Sequence, residues 1–163
     1  MSLSLYECSI PVFIHSLSNL NDLLEAGAQY VAEHGIEDEV LTGARLFPNM
    51  LPLTKQVQIA CDIAKRGSAR MASIESPTDE DTETTFDQLK ARIDRTKQFL
   101  AGIQAEAING SEDNSITMQA GPNVYTFTTR DYLNSWAVPN LYFHVTTTYN
   151  ILRHNGVVIG KGD

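Results

Sequence analysis

The sequence predicts an all-α fold, a four-helix bundle with a small β-hairpin before the last helix. Three observations carry this. Apolar residues recur at three- and four-residue spacing in four long stretches. One short stretch alternates apolar and polar residues instead and is broken by Gly121-Pro122-Asn123. A chain of 163 residues suits one domain, spanning residues 1–163, and can bury its own core without disulfides.

The first helix is read over residues 11–34. Phe13, Leu17, Leu20, Leu24, Ala28 and Val31 form its apolar stripe, and Pro11 suits a first turn. His34 followed by Gly35 reads as its end, a cation near the negative dipole terminus and then a glycine cap. Residues 35–51, with Pro48, form a structured loop with a short turn of helix.

The second helix, residues 52–73, turns Leu53, Val57, Ala60, Ala64 and Met71 to one side. The small residues there predict a close approach to a neighbouring helix. The opposite side carries Lys55, Gln58, Asp62, Lys65 and Arg66 and reads as a solvated salt-bridge face. The third helix, residues 85–103, repeats Phe86, Leu89, Ile93, Thr96, Leu100 and Ile103, with Thr84 and Asp87 read as a capping box. The acidic runs 75–83 and 106–113 read as solvated loops.

Ile116 and Met118 alternate with polar residues, the chain turns at Gly121-Pro122-Asn123, and residues 124–127 return as the second strand. Thr128 and Asp131 open the fourth helix, which runs to His154 and ends at Asn155-Gly156. Pro139 inside it predicts a kink.

A net charge of -8 leaves no basic footprint for nucleic acid or an anionic membrane surface. No apolar run approaches the ~20 residues of a membrane span, and no basic segment followed by an apolar one marks a signal peptide. Cys8 and Cys61 are far apart and form no CxxC pair, which fits a reduced, cytoplasmic protein. A P-loop, a dinucleotide fingerprint, HExxH and GxSxG are all missing from the sequence.

The chemistry concentrates in the fourth helix. At about 100° per residue, Leu133, Ala137, Asn140, Thr148 and Ile151 fall within ~40° of His144. Asn140, His144 and Thr148 therefore share the stripe that should face the core. A buried polar group without a partner costs about 1–3 kcal/mol, so the three imply a hydrogen-bond network, a wet pocket or a metal. His144 is read as the acid–base or hydrogen-bonding centre, or as a satisfied core histidine. Thr148 has the alternative of bonding its own helix carbonyl, and Asn140 that of satisfying carbonyls freed by Pro139.

From the second helix, Gln56 and Cys61 flank the apolar arc, and either can reach the interior. Gln56 would orient a substrate or water, whereas Cys61 more often serves as a small inert hydrophobe. Trp136, Tyr132 and Phe143 read as pocket-lining or core aromatics. Arg45 either binds an anionic ligand or pins its loop through backbone carbonyls. His15 is read as exposed and His154 as a helix-terminal cation.

Several segments then become familiar in order: Ala44-Arg45-Leu46 through Pro48; Gln56-Val57-Gln58-Ile59-Ala60-Cys61-Asp62; Asp81-Thr82-Glu83-Thr84-Thr85-Phe86; Phe143-His144-Val145-Thr146-Thr147; and Leu152-Arg153-His154-Asn155-Gly156. Together they resemble an uncharacterised domain-of-unknown-function family of the DinB/YfiT-like superfamily. The resemblance implies a four-helix bundle. It also implies kinship with metal-dependent thiol-S-transferases and maleylpyruvate isomerase. Their metal site resembles three histidines, one on the second helix and a His-x3-His pair on the fourth. Here His144 matches the first of the pair, Thr148 stands at the second, and the second helix has no histidine.

The expectation is therefore a small-molecule enzyme or binding protein with a pocket around catalytic His144, bounded by Asn140, Thr148, Gln56, Cys61, Trp136 and Arg45. No cofactor is expected; a divalent metal, if held, would take His144 as its histidine ligand. A homodimer is expected, since flat apolar helix faces in small bundles often pair. The alternatives are a non-catalytic dimeric scaffold and a divergent metal-dependent transferase or isomerase.

Overall fold

The computed structural model, which describes residues 3–163, is mostly helical, with one two-stranded antiparallel hairpin before the last helix. The long helices are α1 (Ile10–His34), α3 (Leu53–Met71), α4 (Phe86–Ala101) and α6 (Val138–His154). The short α2 (Asp38–Thr42) lies in the first loop. A four-residue α5 (Thr129–Tyr132) follows strands β1 (Ser115–Ala120) and β2 (Asn123–Thr128). Helix α1 packs against α4 and α6, and α3 packs against the same two.

The apolar stripes account for this packing. Phe13, Leu17, Leu20, Leu24, Leu53, Val57, Leu89, Ile93, Leu141 and Ile151 are all buried in one core. The small residues of α3 permit its long contact with α6: Ala60, Ala64, Gly67 and Ser68 are sealed from solvent. At Gly27, a β-carbon would lie 2.8 Å from the Phe86 ring, so α1 and α4 meet closely there only because no side chain intervenes. Gly35 ends α1 at φ 62°, a left-handed conformation suited to glycine.

Three local expectations change. The capping box of α4 is Thr85 with Gln88, one residue beyond the Thr84–Asp87 reading. Thr85 sits in extended backbone and accepts from the Gln88 amide, while Gln88 reaches back to the Thr85 amide. The hairpin turn is Gly121-Pro122 alone, because Ala120 already pairs with Asn123. The fourth helix does not simply bend at Pro139. A π-helical stretch, Leu133–Ala137, precedes α6, and the proline falls within the first turn of α6. The wider turn spares the amide that proline lacks.

The largest correction concerns the polar side of α3. Gln58 and Lys65 are almost completely buried, at 2% and 1% exposure. Residues 75–85 lie across this side with one face in solvent, turning Asp79 and Glu83 inward. Asp79 pairs with Lys65 and Arg95, Asp81 with Lys55 and Arg92, and Glu83 with Arg92 and Gln58. Arg92 comes from α4, is 1% exposed, and also holds Asp62 at 3.0 Å. Counting charges along α3 alone could not reveal this, because the neutralising partners come from α4 and a loop.

Candidate functional site

His144 leaves α6 toward the start of α3. Its Nδ1 lies 2.7 Å from Oε1 of Gln56, and Gln56 Nε2 donates to the Leu51 carbonyl at 2.9 Å. This chain assigns the protons. A carbonyl only accepts, so the NH2 of Gln56 must face Leu51, and its oxygen must face the imidazole. Nδ1 therefore carries the hydrogen and donates, leaving a lone pair on Nε2. Gln56 is 2% exposed, so burial and two hydrogen bonds hold it in place. His144 itself is half-buried, and burial pushes its pKa below the usual histidine value, favouring the neutral ring. Among the described residues, Nε2 has no hydrogen-bond partner, and it is not one of the sealed polar atoms.

The rest of the polar stripe turns inward on its own helix. Thr148 is fully buried, and its hydroxyl donates to the His144 carbonyl at 3.0 Å. Asn140 donates to the Trp136 carbonyl at 2.7 Å, within the stretch disturbed by the π turn and Pro139. Both follow the local bonding open to such residues inside helices. They frame His144 one turn on either side, while His144 alone crosses to α3.

The other candidates separate. Cys61 is fully buried near Thr96 of α4; desolvation pushes its thiol up to about 12, which keeps it an inert thiol. The structure thus places Cys61 away from His144, on the side of α3 that meets α4. Trp136 packs against the hairpin, 5.1 Å from Tyr125 and 6.0 Å from Phe127 between ring centres. Arg45 is exposed and donates to the Met50 carbonyl at 2.6 Å, pinning its loop. That loop carries Leu51, so Arg45 braces the segment that orients Gln56. Phe143 meets the His144 ring edge-on at 5.2 Å. His15 and His154 are exposed.

The Leu51 carbonyl escaped the sequence reading, because a backbone acceptor leaves no mark in residue identity. The Gln56–Leu51 separation of five residues would have been the signal, a glutamine one turn inside a helix reaching back to the loop before it.

The three-histidine donor set does not fit these residues. Thr148 directs its hydroxyl at a backbone carbonyl, and Gln56 spends its oxygen on Nδ1. Among the described residues, no three of His, Cys, Asp and Glu are grouped so as to hold a metal ion.

Comparison with known proteins agrees with the fold. The family model described as "Domain of unknown function (DUF1993)" matches residues 5–163. A crystal structure of a DinB family member protein from Shewanella denitrificans is similar, with 34% identity and a TM-score of 0.87. The match covers 96% of this chain and 89% of that one. No curated protein matches.

Proposed function

The chain belongs to the DUF1993 family, and on that premise we propose that it is a DinB-like four-helix bundle that binds or transforms a small molecule at His144. One observation carries the reading: the Leu51–Gln56–His144 chain specifies the Nδ1–H tautomer and presents Nε2 as a free acceptor. A histidine kept only for packing gains nothing from an open second nitrogen. The ligand class that suits it offers a hydroxyl, thiol or N–H to Nε2, with an apolar portion against Phe143. In a reaction, Nε2 would take that proton as general base, and Gln56 would steady the resulting imidazolium through Nδ1–H. The metal site implied by the superfamily is degenerate here, and no step runs through a metal. Two free cysteines and the lack of a helix long and apolar enough to cross a membrane among the described residues support a cytoplasmic setting.

The test is nitrogen-15 NMR of the His144 ring combined with a screen of small hydroxyl-, thiol- and N–H-bearing compounds. Nδ1 should be protonated in the free protein, and binders should move the Nε2 resonance. Gln56→Leu should redistribute the tautomers and cost about 1–3 kcal/mol by stranding the Nδ1–H donor. A ring that is Nε2-protonated in the wild type would sink the reading. Stoichiometric metal in tag-free protein, lost in His144→Ala, would favour the metal-dependent alternative.

A second reading has its own observation. Leu46, Phe47, Leu51 and Phe143 are large apolar residues exposed by 37%, 61%, 46% and 56%. Leu51 and Phe143 border the Gln56–His144 pair. Such a rim suits a homodimer whose partner shields His144. Light scattering of wild type and Phe143→Ser separates a dimer from a monomer.

A further inference from the structure

A second site lies at the other end of the α3–α6 contact, where α5 and the hairpin meet α3. Here a cavity of about 240 Å³ opens between Ile59 and Ile63 on α3, Met118 on β1, and Trp136. Asp62, Arg66, Arg70, Gln119 and Tyr132 complete its wall.

The charges on this wall are unequal. Arg66 is paired with Asp62 at 2.9 Å. Asp62 is already shared with Arg92 and Lys65, so it has no charge to spare for Arg70. Among the described residues, Arg70 has no carboxylate partner at all. It is nevertheless held in place, since its Nη1 donates to the Tyr132 hydroxyl at 3.2 Å and its guanidinium carbon lies 6.0 Å from the centre of the Tyr132 ring.

Tyr132 supplies an independent sign. It is 1% exposed, and its hydroxyl accepts from Arg70, yet its own proton has no acceptor among the described residues. Arg70 is the one partner of this hydroxyl among the described residues, which leaves its donor capacity available to a ligand. One wall therefore carries an unneutralised guanidinium and an unspent O–H donor side by side, both of which call for an anionic acceptor. The facing wall is flat and apolar: the Trp136 ring is fixed by Tyr125 and Phe127 beneath the hairpin. The π turn at Leu133–Ala137 is what carries Trp136, and such turns are frequent at functional sites.

We propose that this cavity binds a small organic carboxylate with a flat apolar body. The carboxylate takes Arg70 and the Tyr132 hydroxyl, and the body lies against Trp136 and Ile63. The volume falls below the about 300 Å³ of the smaller drug-sized pockets, so the ligand is small. Arg presents a planar fork that matches a carboxylate. The site uses neither His144 nor Gln56 and stands independently of the reading given to them.

The chain has one tryptophan, so its emission reports on this cavity directly. The full-length protein is titrated with benzoate, benzyl alcohol and inorganic phosphate, with the Trp136 indole N–H followed by NMR in parallel. Benzoate should produce a saturable change within about 10 mM, the range expected for so few ligand atoms. Benzyl alcohol and phosphate should each bind at least about tenfold more weakly, a difference of one order in Kd. Arg70→Gln should weaken benzoate by at least about tenfold, and Arg70→Lys should restore part of the loss. Arg70 gives the buried Tyr132 hydroxyl its hydrogen bond, so each variant is first checked for folding by circular dichroism and titrated well below its melting temperature. Tyr132→Phe, checked for folding by circular dichroism, should weaken benzoate less than Arg70→Gln. Benzoate that gives no saturable signal overturns the proposal. So does benzyl alcohol or phosphate binding as well as benzoate, or an Arg70→Gln protein that binds benzoate normally.

Discussion

Arg92 and His144 both sit where helices meet, and both hold polar groups against α3, but their surroundings differ in kind. Arg92 is 1% exposed and is faced by Asp62, Asp81 and Glu83, while neighbouring Lys65 takes Asp79. Every carboxylate there has a cation, and the strap of residues 75–85 closes over them. At His144, one nitrogen is tied through Gln56 to Leu51, and the other is left open. The first region pairs its charges with one another, leaves only Arg92 Nε and Gln58 Oε1 buried without partners, and joins a loop to two helices. The second spends half of its capacity on orientation and keeps half available. Here the cluster with most charge is therefore the structural one, and the cluster whose spare lone pair is not sealed from solvent is the candidate for chemistry.

The largest effect should come from breaking the first region. Arg92→Met leaves Asp62 to Arg66 and Asp81 to Lys55, but it takes the close cation from buried Glu83, which keeps Gln58 and a longer contact with Arg95. It should cost about 3–5 kcal/mol, the usual penalty for unpairing buried charge. Urea unfolding followed by circular dichroism measures it. A loss below 1 kcal/mol, roughly the value of a surface ion pair, would place the cluster in solvent and erase the contrast.

Acid sharpens the comparison, because the two regions titrate in different windows. Burial pushes the Asp79 carboxyl up, but its bonds with Lys65 and Arg95 outweigh this and leave it below the usual aspartate value. Asp81 is lowered chiefly by its hydrogen bond with Lys55, and next by Arg92. Groups with depressed folded pKa values stabilise the protein above their unfolded values and lose that contribution as pH falls through the folded ones. The strap should therefore weaken from about pH 4 downward. The His144 pKa is also depressed, by burial, so the folded state resists protonation, and a shallower loss should begin from about pH 6.5 downward. Urea midpoints between pH 7.5 and pH 3, with Arg92→Met and His144→Phe as controls, separate the windows. The first variant should flatten the acid limb only in part, since Lys65, Arg95 and Lys55 still hold Asp79 and Asp81, and the second should flatten only the upper one.

The smallest effect should be at Thr148. Its hydroxyl serves a carbonyl of its own helix, so Thr148→Val should change stability by less than about 1 kcal/mol. The His144 tautomer, read by NMR, should not move. A change of tautomer in this variant would show that the hydroxyl acts on the ring, and the polar stripe would then work as one unit.

Much of the architecture was legible from residue pattern, since a stripe such as Phe13, Leu17, Leu20 and Leu24 has few other ways to be buried. The hairpin was legible from its alternation and its Gly-Pro turn, though Asn123 belongs to the second strand and not to the turn. Within the site, His144 and Gln56 were legible as candidates, because each breaks or borders an apolar stripe. Their pairing was not, since it depends on how α3 and α6 pack across 88 residues of sequence. Asp62, Lys65 and Gln58 misled for the same reason. A polar helix face looks alike whether water or a charged strap covers it, and only the neighbours Arg92, Asp79 and Glu83 distinguish the two.

Local physics in the sequence by itself determined the helices, their caps and apolar faces, the hairpin, and the polar stripe of Asn140, His144 and Thr148. These follow from periodicity and backbone preference, which act over a few residues. Tertiary structure alone decided which polar groups met. It gave His144 to Gln56, buried Cys61 against α4, and left Arg70 without a carboxylate. Hydrogen bonds and ion pairs act over about 3–4 Å, and only packing brings residues far apart in the chain within that reach.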